Sequence, residues 1–276
     1  MIPNVLSIAG SDPSGGAGIQ ADLKTFSALG VYGMAALTAL TAQNTTGVSG
    51  VHAVPAEFVA DQIRMVFADV RVDAVKIGMI ANAGIARAVA GVLEDHPDVP
   101  VVLDPVMIAK GGTALLDASA VTALTECLLP LATLLTPNLP EAAALLGVEE
   151  ALDRATMAEQ GAALVALGPA AVLVKGGHLE GPESPDVLVA KEGTHWFEAP
   201  RFLTKNTHGT GCSLSSAVAA GLAKGLPPTD AIAAAKSWLA GAVAASGDLS
   251  VGSGHGPVHH FHSLWPSSPT ASSNRA

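Results

Sequence analysis

The stretch with the clearest chemical potential is THGTGCSLSSAVAAG, residues 207–221, in which a glycine-rich turn leads directly into a helix of small residues. Backbone N–H groups at Gly209, Thr210 and Gly211 would lie at the helix start, where the macrodipole also favours an anion. Glycine lets a ligand approach the backbone without meeting a Cβ atom. The turn lacks the GK[ST] ending of a Walker A loop. It indicates either an anion hole for a transferring phosphoryl group or an ordinary turn between a strand and a helix.

Cys212 closes this turn and is one of two cysteines in the chain. A cysteine at a helix N-terminus is expected to have a pKa lowered toward the thiolate. It could accept the proton of a substrate hydroxyl as a general base, or it could act as a nucleophile. The alternative is a small residue that packs against the sheet, which most free cysteines do and which Cys127 is expected to do.

Three further residues could handle phosphate or a metal ion. Asn138 and Glu141 are three residues apart at a predicted helix start, which puts their side chains on one side of the helix. They could hold Mg²⁺ through water or could simply cap the helix, and the sequence favours neither reading. Lys175 stands between a predicted buried strand and two glycines. It could reach a phosphate, or its ammonium group could extend to water.

A second glycine-rich turn, PSGGAG at 13–18, enters a predicted helix that carries Asp22 and Lys24. The turn could bind phosphate, but it lacks the GxGxxG spacing and carries little weight. Charged residues inside a helix, such as Asp22, usually lie on a solvated face. Gln43 follows an apolar run and could end a strand or pair with an amide-like edge of a ligand. Met79 is most simply a core residue.

The elements that must position these residues alternate along most of the chain, with short apolar runs between longer helical patterns. Such alternation predicts right-handed βαβ crossovers and a mostly parallel sheet covered on both faces. The predicted strands lie at 5–9, 33–40, 73–79, 99–106, 132–137 and 170–177. Residues 186–199 are expected to form a β-hairpin that turns at Glu192-Gly193, and alanine-rich helices follow at about 212–224 and 229–246.

Polar residues and glycines follow the predicted strands at the ends where ligands bind in open α/β sheets. They are Gly10-Ser11-Asp12, Gln43-Asn44, Gly78-Met79, Asp104, Thr136-Pro137-Asn138 and Lys175-Gly176-Gly177. Because the carboxyl ends of parallel strands meet at one edge of a sheet, we expect these residues to line a single site.

Composition excludes several other classes of protein. The 276 residues carry a formal charge of −10 and no basic run, so a nucleic-acid surface is not expected. Two distant cysteines do not make a disulfide framework or a zinc site. No signal peptide and no window of about 18 apolar residues is found, so we expect a cytoplasmic protein without a membrane span. A single domain should occupy 1–262, followed at 263–276 by a disordered Ser/Pro-rich tail.

Taken together, eight stretches between about residues 4 and 262 resemble the hydroxymethylpyrimidine/phosphomethylpyrimidine kinases of thiamine synthesis, members of the ribokinase superfamily. They are IAGSDPSGGAGIQADLKTFSALG, TALTAQNTTGV, KIGM, VVLDPVM, TPNLPEAAALLG, VLVKGGH, KNTHGTGC and GPVHHFH. The resemblance implies a three-layer α/β/α fold, ATP and Mg²⁺ as cofactors, and a homodimer. Residues 147–160 and 244–254 match the family pattern weakly, and the stretch after Trp265 lies outside it.

For the phosphate side, the resemblance implies that the glycine turn forms the anion hole over the transferred phosphoryl group. Cys212 would take the place of the aspartate that most ribokinase-like enzymes use as a base. Asn138 and Glu141 resemble the family's magnesium–phosphate contacts, with Asp104 close to the metal. Lys175 resembles its phosphate lysine.

For the substrate side, the resemblance implies that Gln43 hydrogen-bonds an aminopyrimidine, with Asp22 and the Gly10 backbone nearby. Met79 would line the apolar side of the ring. The implied reaction transfers a phosphoryl group from ATP–Mg²⁺ to 4-amino-5-hydroxymethyl-2-methylpyrimidine, and a second one to the resulting monophosphate. Two alternatives stay open, a vitamin B6 kinase with a related glycine turn and a pyrimidine-binding sensor without turnover.

Overall fold

The computed structural model of the protein describes residues 1–107 and 116–265, which contain one nine-stranded sheet. Its strands are β1 (Asn4–Ser11), β2 (Tyr32–Asn44), β3 (Gly47–Ala53), β4 (Ala74–Ile77), β5 (Val101–Leu103), β6 (Leu134–Leu135), β7 (Ala171–Lys175), β8 (Asp186–Ala190) and β9 (Gly193–Phe197). Their spatial order is β3-β2-β1-β4-β5-β6-β7-β8-β9. The chain begins at β1 in the middle of the sheet, adds β2 and β3 on one side of it, and then adds β4 to β9 on the other side. A crevice opens beside β1, where the order of strands changes side.

The central strands β2, β1, β4, β5, β6 and β7 pair in parallel, which confirms the predicted sheet. At one edge, β8 and β9 pair antiparallel as the predicted hairpin, with Ala190 opposite Gly193. At the other edge, β3 pairs antiparallel with β2, and this hairpin was not predicted. The sequence of β3, GVSGVHA, is exposed along most of its length and lacks the apolar run that marks a buried strand.

Helices cover both faces of the sheet. They are α1 (Gly18–Ala28), α2 (Ala56–Asp69), α3 (Ala83–Leu93), α4 (Ala118–Ala123), α5 (Leu139–Leu146), α6 (Arg154–Val165), α7 (Thr210–Ala223) and α8 (Pro228–Ala244). Alternate side chains of β1 supply the two cores: Leu6 and Ile8 pack under α2 and α3, whereas Val5 packs under α1 and α7. The three-layer α/β/α fold is therefore the one expected. None of the described helices has the length and apolarity to cross a membrane.

The predicted end of the domain at residue 262 stays a prediction. Just beyond it, the half-exposed Trp265 ring stacks on Phe261 with their centroids 4.8 Å apart. The remainder of the predicted tail, 266–276, lies outside the described residues. Cys127 is partly buried and packs against the core, as predicted.

Asp22 of α1 forms an ion pair with Lys76 of β4 in the layer between the sheet and α7. The ammonium nitrogen lies 2.9 Å from both carboxylate oxygens, and both side chains are fully buried. Ser7 of β1 and Ser216 of α7 donate hydrogen bonds of 2.6 and 2.7 Å to the same carboxylate. The expectation that Asp22 lies on a solvated face is therefore wrong, because the sheet and α7 present a cation and two hydroxyl donors to it. The pair joins four elements.

We expect the Lys76→Met substitution to lower the free energy of unfolding by about 3–5 kcal/mol, because it leaves the Asp22 carboxylate buried without a counter-charge. Adding Asp22→Leu should recover most of that loss, since an apolar pair of similar volume often replaces a buried ion pair at little cost. Urea denaturation measures both changes.

The matched control is Arg64→Met, which removes only exposed ion pairs with Glu57 and Asp61 and should cost less than about 1 kcal/mol. If Lys76→Met is no more destabilising than this control, the buried pair does not hold the four elements together.

Candidate active site

Two adjoining cavities open at the carboxyl ends of the parallel strands, and they share Asn138, Lys175 and Gly211 in their walls. The first cavity, of about 440 Å³, lies toward α8 and the β8–β9 hairpin. The second cavity, of about 660 Å³, lies toward β1 and β2. Its walls include most of the residues singled out in the sequence, namely Gly10, Gln43, Met79, Asp104, Asn138, Glu141, Lys175, Gly209, Thr210, Gly211 and Cys212.

The glycine turn forms the boundary between the two cavities. Gly209 precedes α7 with a φ of 76°, and a Cβ atom there would lie 1.8 Å from the carbonyl oxygen of Gly16. Only glycine fits this position. Within the described residues no side chain caps the start of α7. The Thr210 N–H donates to the Thr207 carbonyl oxygen, and the N–H groups of Gly211 and Cys212 remain available to an anion. A Cβ atom on Gly211 would lie 3.3 Å from Nζ of Lys175, which places a cation beside those donors.

Lys175 is held by two carboxylates. Its Nζ lies 2.8 Å from Oδ1 of Asp104 and 3.9 Å from Oε2 of Glu141. Burial disfavours the ammonium ion, but the two carboxylates outweigh burial and raise the pKa of Lys175. Burial likewise opposes the ionised form of Asp104, but Lys175 and Lys76 outweigh it and lower the pKa of Asp104. Asp104 and Lys175 are therefore a charged pair.

Asn138 and Glu141 form a complete capping box at the start of α5. Asn138 Oδ1 accepts from the Glu141 N–H, and Glu141 Oε2 accepts from the Asn138 N–H, both at 2.8 Å. Burial and the nearby charge of Asp104 raise the pKa of Glu141 to about 7, although Lys175 opposes this shift. Asn138 and Glu141 therefore do cap the helix, and the Glu141 carboxylate still lies in the wall of the second cavity beside Lys175.

The residues proposed for a metal do not form an all-protein cage. No group of three or more His, Cys, Asp or Glu side chains in residues 1–107 and 116–265 could hold a metal ion. Asp104 and Glu141 nevertheless bring two carboxylates to the wall of the second cavity near the free N–H groups of α7. Mg²⁺ is usually held by one or two carboxylates together with water and substrate phosphates, so this donor set fits a magnesium–nucleotide complex.

Cys212 lies in the wall of the second cavity at the start of α7. Burial raises the pKa of its thiol to about 11, and the charges of Asp104 and Asp22 add to the rise. The Lys76 ammonium and a hydrogen bond from the Gly18 N–H oppose it. The expected lowering toward the thiolate is therefore wrong for this state of the protein, because burial outweighs the helix start.

Gly10 and Met79 form one wall of the second cavity together. A Cβ atom on Gly10 would lie 2.3 Å from Cε of Met79, so a larger residue there would displace the end of the methionine side chain. Met79 is partly buried and contributes to the wall of this cavity. Gln43 also contributes to this cavity, whereas Asp22 lies in the buried layer beneath it and does not contribute to its wall.

Asp12 was expected at this edge of the sheet without its partner, and three further polar residues of the site, His208, Asp186 and Lys236, were missed in the sequence. Asp12 and His208 form a buried pair in the wall of the second cavity, with 2.9 Å between Oδ2 and Nε2. Asp12 directly precedes one glycine-rich stretch and His208 belongs to the other, so a carboxylate beside one turn and an imidazole in the other were the available signal for this pair. Asp186 and Lys236 pair in the wall of the first cavity. Lys236 stands inside an alanine-rich helix, where the pattern gives no sign of a ligand.

The first cavity also has an apolar side, which lies next to Lys236 on α8. Phe202, Leu239, Ala240 and Val243 contribute to it, and α8 supplies three of the four. Lys236 also donates a 2.7 Å hydrogen bond to the carbonyl oxygen of Ser184. A slot with apolar walls and a few fixed polar groups is typical of a site for a flat heterocycle.

The family model for phosphomethylpyrimidine kinase matches residues 12–259 of this chain. The chain belongs to the phosphomethylpyrimidine kinase family. It is 56% identical over 262 residues to the hydroxymethylpyrimidine/phosphomethylpyrimidine kinase of Escherichia coli K12, covering 95% of this chain and 98% of that protein. The family membership and the ribokinase-like fold expected from the sequence are confirmed.

Two solved structures show the same fold. The phosphomethylpyrimidine kinase of Clostridium difficile 630 is 42% identical with a TM-score of 0.76, covering 86% of this chain and 97% of that one. The pyridoxal kinase of Bacillus subtilis, solved as an ADP complex, is 37% identical with a TM-score of 0.86 and covers 94% and 98%. The fold of phosphomethylpyrimidine kinases thus also serves a vitamin B6 kinase.

The raised pKa of Cys212 predicts slow alkylation at neutral pH. A group with a pKa of about 11 is a thiol below that pH, and only the thiolate reacts, so labelling by iodoacetamide should rise about tenfold per pH unit from pH 7 to 10. In the Cys127→Ala variant Cys212 is the one remaining cysteine, so mass spectrometry measures the labelling of Cys212 alone. A labelling rate that levels off below pH 8 would contradict the raised pKa.

Proposed function

We propose that this member of the phosphomethylpyrimidine kinase family transfers the γ-phosphoryl group of ATP to 4-amino-5-hydroxymethyl-2-methylpyrimidine and then phosphorylates the monophosphate to the diphosphate. The observation that carries the proposal is the uncapped start of α7 between two cavities, with Lys175 beside it. Such a boundary can hold a phosphoryl group while a donor occupies one cavity and an acceptor the other. The family match supports the identity of both substrates.

The first cavity is proposed to hold the nucleotide. Its apolar side on α8 suits the faces of an adenine ring, and its wall leads past Lys175 to Gly211. Lys175 would contact the phosphates as a fixed cation, since Asp104 already holds its ammonium in place. The structural relative from Bacillus subtilis was solved as an ADP complex, which supports a nucleotide site in this fold.

Glu141 and Asp104, with Asn138 beside them, are proposed to hold Mg²⁺ through water. Bound there, the ion would neutralise charge on the nucleotide phosphates. A pKa of about 7 for Glu141 means that its carboxyl is partly protonated at neutral pH before ligands arrive. A nearby cation favours the ionised carboxylate, so the arrival of the metal complex should release a proton from this residue.

The two phosphorylation steps differ in what they need from Cys212. In the first, a hydroxyl oxygen attacks the γ-phosphorus, ADP leaves, and the hydroxyl loses its proton. The Cys212 sulfur is proposed to take that proton as a thiolate, after its own proton has gone to solvent. Lys76 supplies the positive charge that favours the thiolate, and it lies fully buried beneath the site. In the second step the nucleophile is already an anionic phosphate, so only the donors of the glycine turn and Lys175 are needed.

A vitamin B6 kinase is the second candidate. Its support is the structural likeness to the pyridoxal kinase of Bacillus subtilis. Gln43 and Met79 favour the pyrimidine, because a primary amide matches an amino group beside a ring nitrogen. Activity on both substrates is compatible with the cavity of about 660 Å³. A sensor without turnover has less support, because Cys212 and Lys175 both stand in the site.

The decisive assay incubates purified protein with ATP and Mg²⁺ and separates products by anion exchange. Hydroxymethylpyrimidine, its monophosphate and pyridoxine are compared for the wild type and Cys212→Ala. We expect the wild type to form the diphosphate. The variant should lose about 100-fold or more in the first step and much less in the second, since general base catalysis supplies about 10²–10⁴-fold.

Each other outcome changes the assignment. Turnover of pyridoxine alone would move the protein to the vitamin B6 kinases, and binding without turnover would make it a sensor. Equal losses in both steps would remove the base role from Cys212 and leave it a packing role.

A homodimer is proposed as the functional form, with α2 in the interface. Phe58 and Met65 lie two turns apart on one face of α2 and are 59% and 72% exposed. Large apolar side chains that share an exposed face are typical of a surface that another protein covers. The protein is proposed to act in the cytoplasm, where ATP is available, and fractionation of cells tests that location.

Light scattering behind size exclusion measures the oligomeric state. We expect a particle of twice the 27.5 kDa chain mass, and we expect Phe58→Glu with Met65→Glu to yield monomers. The control Glu57→Gln on the same helix should remain dimeric. A monomeric wild type would reject the dimer.

A further inference from the structure

Asp12 and His208 form a buried pair that has no assigned role in the proposed phosphoryl transfer. His208 Nε2 lies 2.9 Å from Asp12 Oδ2, and the two residues are 6% and 2% exposed. His208 directly precedes the glycine turn, and its ring packs so closely on Gly16 that a Cβ atom there would lie 2.4 Å from it. The pair therefore fixes the glycine turn of α7 against the glycine-rich turn before α1.

The proton on this pair can be assigned. Hydrogen bonds from His208 and from Ser14 outweigh the effect of burial and lower the pKa of Asp12 to about 2, so its carboxylate is ionised at neutral pH. An ionised carboxylate only accepts hydrogen bonds. Nε2 of His208 must then carry the hydrogen and donate it to Asp12, and no lone pair remains on that nitrogen.

This assignment decides the orientation of the neighbouring Gln43 amide. In one orientation, the amide nitrogen lies 3.4 Å from Nε2 of His208 and the amide oxygen lies 3.3 Å from Oγ1 of Thr41. The first contact sets donor against donor. The second sets acceptor against acceptor, because the Thr41 hydroxyl donates its one hydrogen to the Ser11 carbonyl at 2.8 Å.

Turning the amide by half a rotation suits both neighbours better. The oxygen of Gln43 then lies beside the N–H of His208, where it can share the one hydrogen with the Asp12 carboxylate, and its NH₂ group faces the acceptor lone pairs of Thr41. The amide nitrogen and oxygen occupy nearly the same volume, so their hydrogen-bond partners determine which orientation the amide takes.

We propose that Asp12 and His208 are positioning residues that fix the direction of the Gln43 amide, and so decide which end of the pyrimidine faces the glycine turn. The inference rests on the proposed function. With the amide oxygen on the His208 side, the 4-amino group of the substrate pairs on that side and the ring nitrogen pairs toward Thr41. The hydroxymethyl group is the ring neighbour of the amino group, so it is directed to the side where Gly209 begins the turn.

The test compares hydroxymethylpyrimidine with its 4-oxo analogue, in which a carbonyl and a ring N–H reverse the donor and acceptor. We expect the wild type to prefer the amino compound in kcat/KM by at least about 100-fold, since sites built to hydrogen-bond one partner reject its inverse strongly. His208→Leu frees the amide to turn, so this preference should fall about tenfold or more. His208→Gln keeps an N–H donor and should retain the preference.

Two further variants make the result independent of folding losses. Thr41→Val removes the partner at the other end of the amide and should also lower the preference. Ser14→Ala removes a different donor to the Asp12 carboxylate and should leave the preference unchanged. The KM for ATP reports any general damage to the site.

The positioning role would be overturned if the wild type prefers the amino compound and the His208→Leu variant loses turnover but keeps that preference. The kinase assignment would then stay intact. A wild type that turns over neither pyrimidine would overturn both. A preference that falls in His208→Leu and Thr41→Val but not in Ser14→Ala supports the role.

Discussion

A buried cation beneath the crevice constrains much of this site. Lys76 is fully buried, and its ammonium pairs with Asp22 at 2.9 Å while Ser7 and Ser216 fix the carboxylate. Desolvating two charges is expensive, and an apolar pair would fold as well. The pair joins α1, β1, β4 and α7, and Ser216 lies one helical turn after Cys212. It therefore sets α7 against the sheet and places positive charge under the thiol.

Charge balance also explains why a thiol can stand at the start of α7. Asp22 and Asp104 are each matched by a lysine, and Glu141 has a pKa of about 7. A further ionised carboxylate would repel the phosphates that must enter. The thiol, with a pKa of about 11, is neutral at neutral pH, and it can act as a base only after it has released its own proton. Asp12 is ionised, but His208 and backbone donors satisfy it.

The sheet and the edge that carries the site could be predicted from the sequence because both depend on local patterns. Parallel strands are continuous apolar runs, and the polar residues that follow them necessarily meet at one edge. The pKa of Cys212 could not be predicted, since burial is a property of the assembled layers. The pairs Asp12–His208 and Asp186–Lys236 join residues 196 and 50 positions apart, and no local spacing records such contacts.

The most direct test of the proposed phosphoryl transfer is a crystal structure with hydroxymethylpyrimidine, Mg²⁺ and a non-hydrolysable ATP analogue. We expect the adenine in the first cavity and the γ-phosphoryl group within hydrogen-bonding distance, about 3 Å, of the N–H groups of Gly211 and Cys212. The substrate hydroxymethyl oxygen should lie between that group and the Cys212 sulfur. A γ-phosphoryl group away from the start of α7, or a hydroxymethyl group directed away from Cys212, would contradict it.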